Sequence, residues 1–124
     1  MTTPPFDYHK ARAFLRAKEA HRQAELDRGF EEAWRDFRSI AEMIWREYHP
    51  AAIYQWGSLL ERRHFSEISD LDIAIDGHMG AEDYFALLGR AARMTRFPLD
   101  VVELEKIHPA FARGIRQRGR LVYG

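Results

Sequence analysis

Two aspartates separated by one apolar residue, Asp70 and Asp72, lie in the stretch WGSLLERRHFSEISDLDIAID, which runs from Trp56 to Asp76. Leu71, Ile73 and Ile75 alternate with them. On a β-strand, the two-residue period sends those three side chains into a core and both carboxylates to the opposite face, with Cα atoms about 6.6 Å apart. Carboxylates so placed repel each other, and burial raises the cost unless a cation neutralises them. Magnesium, a hard ion that takes oxygen ligands, suits such a site. A pair of metal ions about 4 Å apart could be bridged and flanked by the two groups, as two-metal phosphoryl transfer requires. The competing explanation is that Asp70 caps a turn after Ser69 while Asp72 faces solvent, because short motifs of this kind match often by chance.

Upstream, Gly57-Ser58 closes an apolar segment and is followed by residues that could begin a short helix. Glycine lets a backbone approach a phosphate, and the first turn of a helix offers unpaired N–H groups. Ser58 adds a hydroxyl. By itself a Gly-Ser pair signals only a turn. Placed before the carboxylate pair, it could hold a triphosphate between hydrogen-bond donors and metal.

The elements that must position these groups are read from periodicity. From Asp7, a candidate N-cap, to Gly29 the chain is rich in alanine, arginine and glutamate, and Phe14, Leu15 and Leu26 form no continuous stripe. This segment is expected to be a helical arm, either solvated or leaning on the body or on a partner through a narrow contact. From Phe30 to Tyr48, apolar residues recur at helical spacing, so a core helix is expected there, ended by Pro50. Strands are expected at Ala52 to Trp56, Leu71 to Ile75 and Leu99 to Leu104, with helices at Ala81 to Met94 and Pro109 to Arg118. Leu121 to Tyr123 is a final apolar scrap. This order predicts one α/β (α+β) domain, with a small mixed sheet of three to four strands flanked by helices. The division is an arm over 1–29 and a catalytic domain over 30–124.

Composition narrows the function classes. The 124 residues include 19 basic and 19 acidic side chains, so no overall positive field exists to hold a nucleic-acid backbone. A direct nucleic-acid partner is disfavoured. The absence of cysteine removes thiolate zinc sites, thiol nucleophiles and disulfides. No export signal or membrane-spanning run is read, so a cytoplasmic location is expected. Six histidines at 9, 21, 49, 64, 78 and 108 show no metal-ligand spacing, and surface or capping roles suit them. Trp34, Trp45 and Trp56 read as core aromatics, with Trp56 beside the Gly-Ser turn and able to line a nucleotide pocket.

A strand, Gly57-Ser58, a spacer and then Ser69-Asp70-Leu71-Asp72 resembles the signature of the polymerase-beta-type nucleotidyltransferase superfamily, above all its minimal members (MNT). The resemblance spans about Ile40 to Gly124 and includes the tail IRQRGRLVYG. It implies a nucleotidyltransferase fold and a third carboxylate on a later strand, for which Asp100 in FPLDVVEL stands in the right place. Where many minimal relatives carry arginines just after Gly-Ser, this chain has Leu59, Leu60 and Glu61, which leaves Arg62, Arg63 and His64 as candidates for the phosphate contacts.

By the same resemblance, Asp70, Asp72 and Asp100 are the catalytic and metal-holding residues, Gly57 and Ser58 bind the nucleotide, two Mg2+ ions are the cofactors and ATP is the substrate. Minimal members resemble the antitoxin half of toxin–antitoxin pairs whose partner is a helical HEPN-domain ribonuclease. The implied function is therefore transfer of AMP to a hydroxyl, a tyrosine of that HEPN-type toxin. The acceptor is expected to come with another protein, since a chain of this length leaves no room for an acceptor domain, and the Asp7 to Arg28 arm is the candidate docking surface. The expectation leaves room for a homo-oligomer. Two alternatives stand beside it: a non-catalytic module that neutralises a helical partner by contact, and a small-molecule nucleotidyltransferase.

Overall fold

A computed structural model describes residues 5–60, 65–66 and 69–124. Helix α1 (Tyr8–Tyr48) leads into strand β1 (Ala52–Trp56), a 3₁₀ turn (Gly57–Leu60), β2 (Leu71–Asp76), α2 (Ala81–Ala92), β3 (Leu99–Glu103), α3 (Pro109–Arg118) and β4 (Arg120–Tyr123). The expected α/β architecture with a four-stranded mixed sheet and a long N-terminal helix is what the chain adopts.

The first 48 residues differ from the expectation of two helical segments, because α1 is one helix of 41 residues. At 1.5 Å per residue it spans about 60 Å. Asp7 caps it, its carboxylate accepting from the Lys10 backbone N–H at 3.0 Å. Gly29 does not interrupt the helix. A β-carbon there would come within 3.3 Å of the Phe65 ring, so the glycine lets the loop pack closely on the helix. The helix stops at Tyr48 because His49 turns left-handed, at φ 50°, ahead of Pro50.

The sheet order is β3-β2-β1-β4. β1 lies antiparallel to β2 and β4, and β2 lies parallel to β3. One face carries Ile53, Leu71, Ile73 and Ile75, all fully buried, against the proximal part of α1 (Phe30, Phe37, Ile40 and Ile44) and Leu87 of α2. On the other face, Ala74 and Leu104 pack with Ala112 and Ile115 of α3. Arg116 of α3 donates to the Asp76 carboxylate from both Nε and Nη2, at 3.2 and 3.1 Å, tying the helix to one end of β2.

Three boundaries differ in detail. β3 ends at Glu103, although the Leu104 N–H still donates to the Ile75 carbonyl at 2.9 Å. α2 ends at Ala92, with a turn through Met94. The apolar scrap at the C-terminus is a strand, β4, because it completes the hydrogen bonding of β1 on the side away from β2. The three tryptophans are only partly buried, and Trp45 stacks on Tyr123 at 5.2 Å. Among the described residues, no helix is long and apolar enough to cross a membrane.

Candidate active site

The site is assembled by strand register. In the antiparallel β1–β2 pair, Trp56 faces Asp72, and in the parallel β2–β3 pair, Asp72 faces Asp100. Residues directly opposite on neighbouring strands present side chains to the same face. Trp56, Asp72 and Asp100 therefore form one row across three strands. Leu71 and Ile73, pointing the other way into the core, hold Asp72 in that row.

Asp70 stands just before β2. Its approach is set by a turn in which the Ser66 N–H donates to Ser69 Oγ at 2.9 Å and the Ser69 N–H to the Ser66 carbonyl at 3.2 Å. The Leu71 N–H then donates to the Pro98 carbonyl at 2.8 Å, which locks the start of β2 to the segment entering β3. Ser69, rather than Asp70, makes the hydrogen bonds of this turn.

The electrostatics of the row follow from its geometry. Burial, then the neighbouring charge of Asp100, then that of Asp70, push the Asp72 carboxyl up to about 7 from an ordinary carboxylate value. Asp100 and Asp70 are therefore both brought close enough to act on Asp72. Burial also raises the Tyr84 hydroxyl, with Glu103 and Asp100 adding to the effect, and that hydroxyl donates to the Val101 carbonyl at 2.8 Å.

Gly57 meets this row directly. It has φ +80°, a region that side-chain-bearing residues rarely adopt, and a β-carbon there would overlap Asp72 Oδ2 and Cγ. Glycine is thus required twice, by the backbone and by the carboxylate lying against it. The backbone of Ser58 follows in the 3₁₀ turn, but its hydroxyl lies outside the described residues, as do Arg62, Arg63 and His64.

A divalent cation fits this donor set. Three like charges are held together by the sheet, and Asp72 resists losing its proton, which is the condition a metal ion relieves. Among the described residues, no three histidine or acidic side chains close into a ready-made cage. Magnesium is usually held by one or two carboxylates together with substrate phosphates and water, so an open cluster is compatible with it.

Next to Gly57, a cleft of about 150 Å³ is lined by Trp56, Leu60, Phe111, Ile115 and Arg118. The rings of Trp56 and Phe111 meet edge to face at 5.5 Å, and the Trp56 Nε1–H finds no acceptor among the described residues. Sequence reasoning anticipated Trp56 here but not Phe111 or Arg118, whose α3 comes to Gly57 through tertiary packing. The family-like tail IRQRGRLVYG takes in Arg118 but not Phe111. A larger hollow of about 790 Å³ lies elsewhere, at the base of the exposed part of α1, and contains none of the three aspartates. Size alone does not locate the chemistry.

The remaining histidines fit surface or capping roles, with His108 Nδ1 accepting from the Ala110 N–H at 3.1 Å to cap α3.

No curated protein matches the chain. Among solved structures, the fold is similar to a chain in the crystal structure of the toxin-antitoxin MntA-HepT, with a TM-score of 0.55 and 17% identity, covering 72% of this chain and 70% of that one. The family model for polymerase beta nucleotidyltransferases matches residues 38–124, the stretch that holds the glycine turn and all three aspartates. The chain therefore belongs to the polymerase beta nucleotidyltransferase family.

Proposed function

We propose that this protein is a magnesium-dependent nucleotidyltransferase that moves AMP from ATP to a hydroxyl, a tyrosine of a HEPN-type toxin, and so acts as a cytoplasmic antitoxin. The observation that supports this most is the row of Asp72 and Asp100, flanked by Asp70 and pressed against Gly57, in a chain of nucleotidyltransferase family. The toxin–antitoxin context draws on the likeness to the MntA-HepT structure.

In this reading, Asp70 and Asp72 would hold the divalent metal on the triphosphate, and Asp100 would complete a second metal position. Bound metal supplies charge that stabilises the negative charge developing on the phosphoryl oxygens. The missing side chain at Gly57 lets the Asp72 carboxylate lie against the turn, and Trp56 and Phe111 offer apolar surface beside it. Asp100 takes the proton of the acceptor hydroxyl. The acceptor oxygen bonds to the α-phosphorus as the bond to the bridging oxygen of the β-phosphate breaks, and pyrophosphate leaves. The protein's part is chiefly positioning and electrostatics. The division into an arm over 1–29 and a catalytic domain over 30–124 belongs to the same reading.

The test is to incubate the protein with a HEPN-type toxin, ATP and magnesium and to weigh the toxin by mass spectrometry. Wild type should add adenylate mass to a tyrosine, and Asp72→Asn should bind the toxin without modifying it. If the Asp72→Asn protein silences the toxin as fully as wild type, with no mass change in either reaction, transfer is not the function.

A further inference from the structure

The distal part of α1, from Tyr8 to about Arg28, rises from the body by about 30 Å with its side chains largely exposed. Phe6, Tyr8, Phe14 and Leu15 are 61 to 70% exposed. A helix of that length with little packed on it among the described residues is marginal in water, so its apolar positions call for a cover. Those positions are not scattered. Tyr8, Ala11, Leu15 and Leu26 lie on one line of steps of three and four that passes through the charged Glu19 and Arg22, leaves Phe14 to one side, and runs on into Phe30, Ala33 and Phe37, the stripe that packs on the sheet. The seam by which α1 joins its own body thus extends toward the tip, with its distal side chains largely exposed among the described residues.

Charge along the arm is polar in direction. From Tyr8 to Lys18 there are four basic residues (Lys10, Arg12, Arg16 and Lys18) and no acidic one, whereas from Glu19 to Glu32 five acidic residues outnumber two basic ones; of these, Glu32 is held by Arg96 of the body, while Glu19 and Glu25 make only exposed pairs with Arg22 and His21 along the helix. A basic half and an acidic half on one rod complement a second copy of the same rod laid antiparallel.

We propose that the arm is a homodimerisation element, in which the arms of two copies pair antiparallel so that the basic, aromatic tip of each lies along the acidic base of the other. One register satisfies the stripe and the charges together: Leu15 faces Leu26 of the second copy, Arg16 faces Glu25, and Glu19 faces Arg22 across the dyad. The contact is isologous, so every pair occurs twice and the assembly closes at two copies. Placing Glu19 and Arg22 in the seam sets orientation and register, the use to which polar seam residues are best suited. Within one chain these two form only an exposed ion pair at 3.3 Å, and both remain available to exchange partners.

The tip also has somewhere to go. At the base of the arm, Glu25, Leu26, Glu32, Phe65, Arg96 and Phe97 line an open hollow of about 790 Å³ between helix and body. Phe6 and Tyr8, packed edge to face at 4.7 Å, reach this level of the second copy in the same register. The sequence pointed to the arm as a docking surface for a toxin. Its self-complementary charge assigns it to a second copy instead, and this assignment is independent of the reaction catalysed.

Because the chain has no cysteine, engineered thiols report the pairing cleanly. Sedimentation equilibrium of the full chain should give twice the 14.6 kDa chain mass. The double variant Leu15→Cys with Leu26→Cys should form a disulfide-linked dimer on mild oxidation, and Leu15→Cys alone should not. Arg16→Glu should weaken dimerisation at least tenfold, and adding Glu25→Arg should restore it. A chain that remains monomeric up to its solubility limit would overturn the proposal. So would efficient crosslinking by Leu15→Cys alone, which requires parallel arms, or arm crosslinks that form only to a different, helical protein.

Discussion

The two ends of α1 belong to one uninterrupted helix and obey different physics. Phe37, Ile40 and Ile44 are fully buried against the sheet, while Phe14 and Leu15, on the same backbone, are more than 60% exposed. The proximal half is helical because burying an apolar face stabilises it, whereas the distal half extends that helix with residues of high helix propensity and little tertiary support. The same contrast separates the arm from the aspartate row. At the row, a packed core forces like charges together, and on the arm, opposite charges lie apart along a rod.

The largest effect that sharpens this comparison is on stability. Phe37→Ala should lower unfolding free energy by about 3 to 5 kcal/mol, whereas Phe14→Ala should change it by no more than about 0.5 kcal/mol. Denaturant titration of the two variants checks this. Equal losses would mean that the distal helix packs on the body.

Next in size is Gly57→Ala. The left-handed backbone alone costs about 1 to 3 kcal/mol, and the new β-carbon must displace the Asp72 carboxylate. Chemical denaturation should show that loss, and magnesium-dependent nucleotide binding should fall with it. If Gly57→Ala binds magnesium and ATP like wild type, Asp72 does not need the space this glycine leaves.

The smallest effect is the pH dependence of the row. The Asp72 carboxyl is raised to about 7 in the folded protein, so the fold favours its protonated form. That contribution is fully present below the unfolded carboxylate range near 3.8 and is lost as pH rises through about 7. In chelator, the Tm of wild type should therefore fall between pH 5 and pH 8 more than that of Asp72→Asn, and magnesium should narrow the gap at pH 8. Identical pH profiles for the two proteins would contradict the electrostatic account of the row.

Much of this was legible in the sequence wherever local pattern decides structure. Alternation of Leu71, Ile73 and Ile75 with Asp72 fixed β2 and its faces, and the dense stripe from Phe30 to Tyr48 fixed the proximal helix. Three things were not legible, each for a physical reason. Gly29 reads as a helix end, yet its role is to let Phe65, far along the chain, pack where a β-carbon would crowd it, within an unbroken helix. β4 is too short to declare itself and exists because β1 has an edge to complete. Phe111 and Arg118 reach the cleft only because α3 folds back over the sheet. The pairing of Asp72 with Asp100 was implied by family resemblance, and the parallel register of β2 and β3 supplies the geometric reason for it.

The central claim, that the aspartate row is a site for a metal-bound nucleotide, is tested most directly by calorimetric titration of ATP into the protein with and without magnesium. In wild type, magnesium should strengthen ATP binding markedly. Asp72→Asn, which keeps the side chain's shape but removes one ligand charge, should lose that enhancement by a factor of at least about 10 to 100. Equal ATP affinity with and without the metal in both proteins would contradict the account.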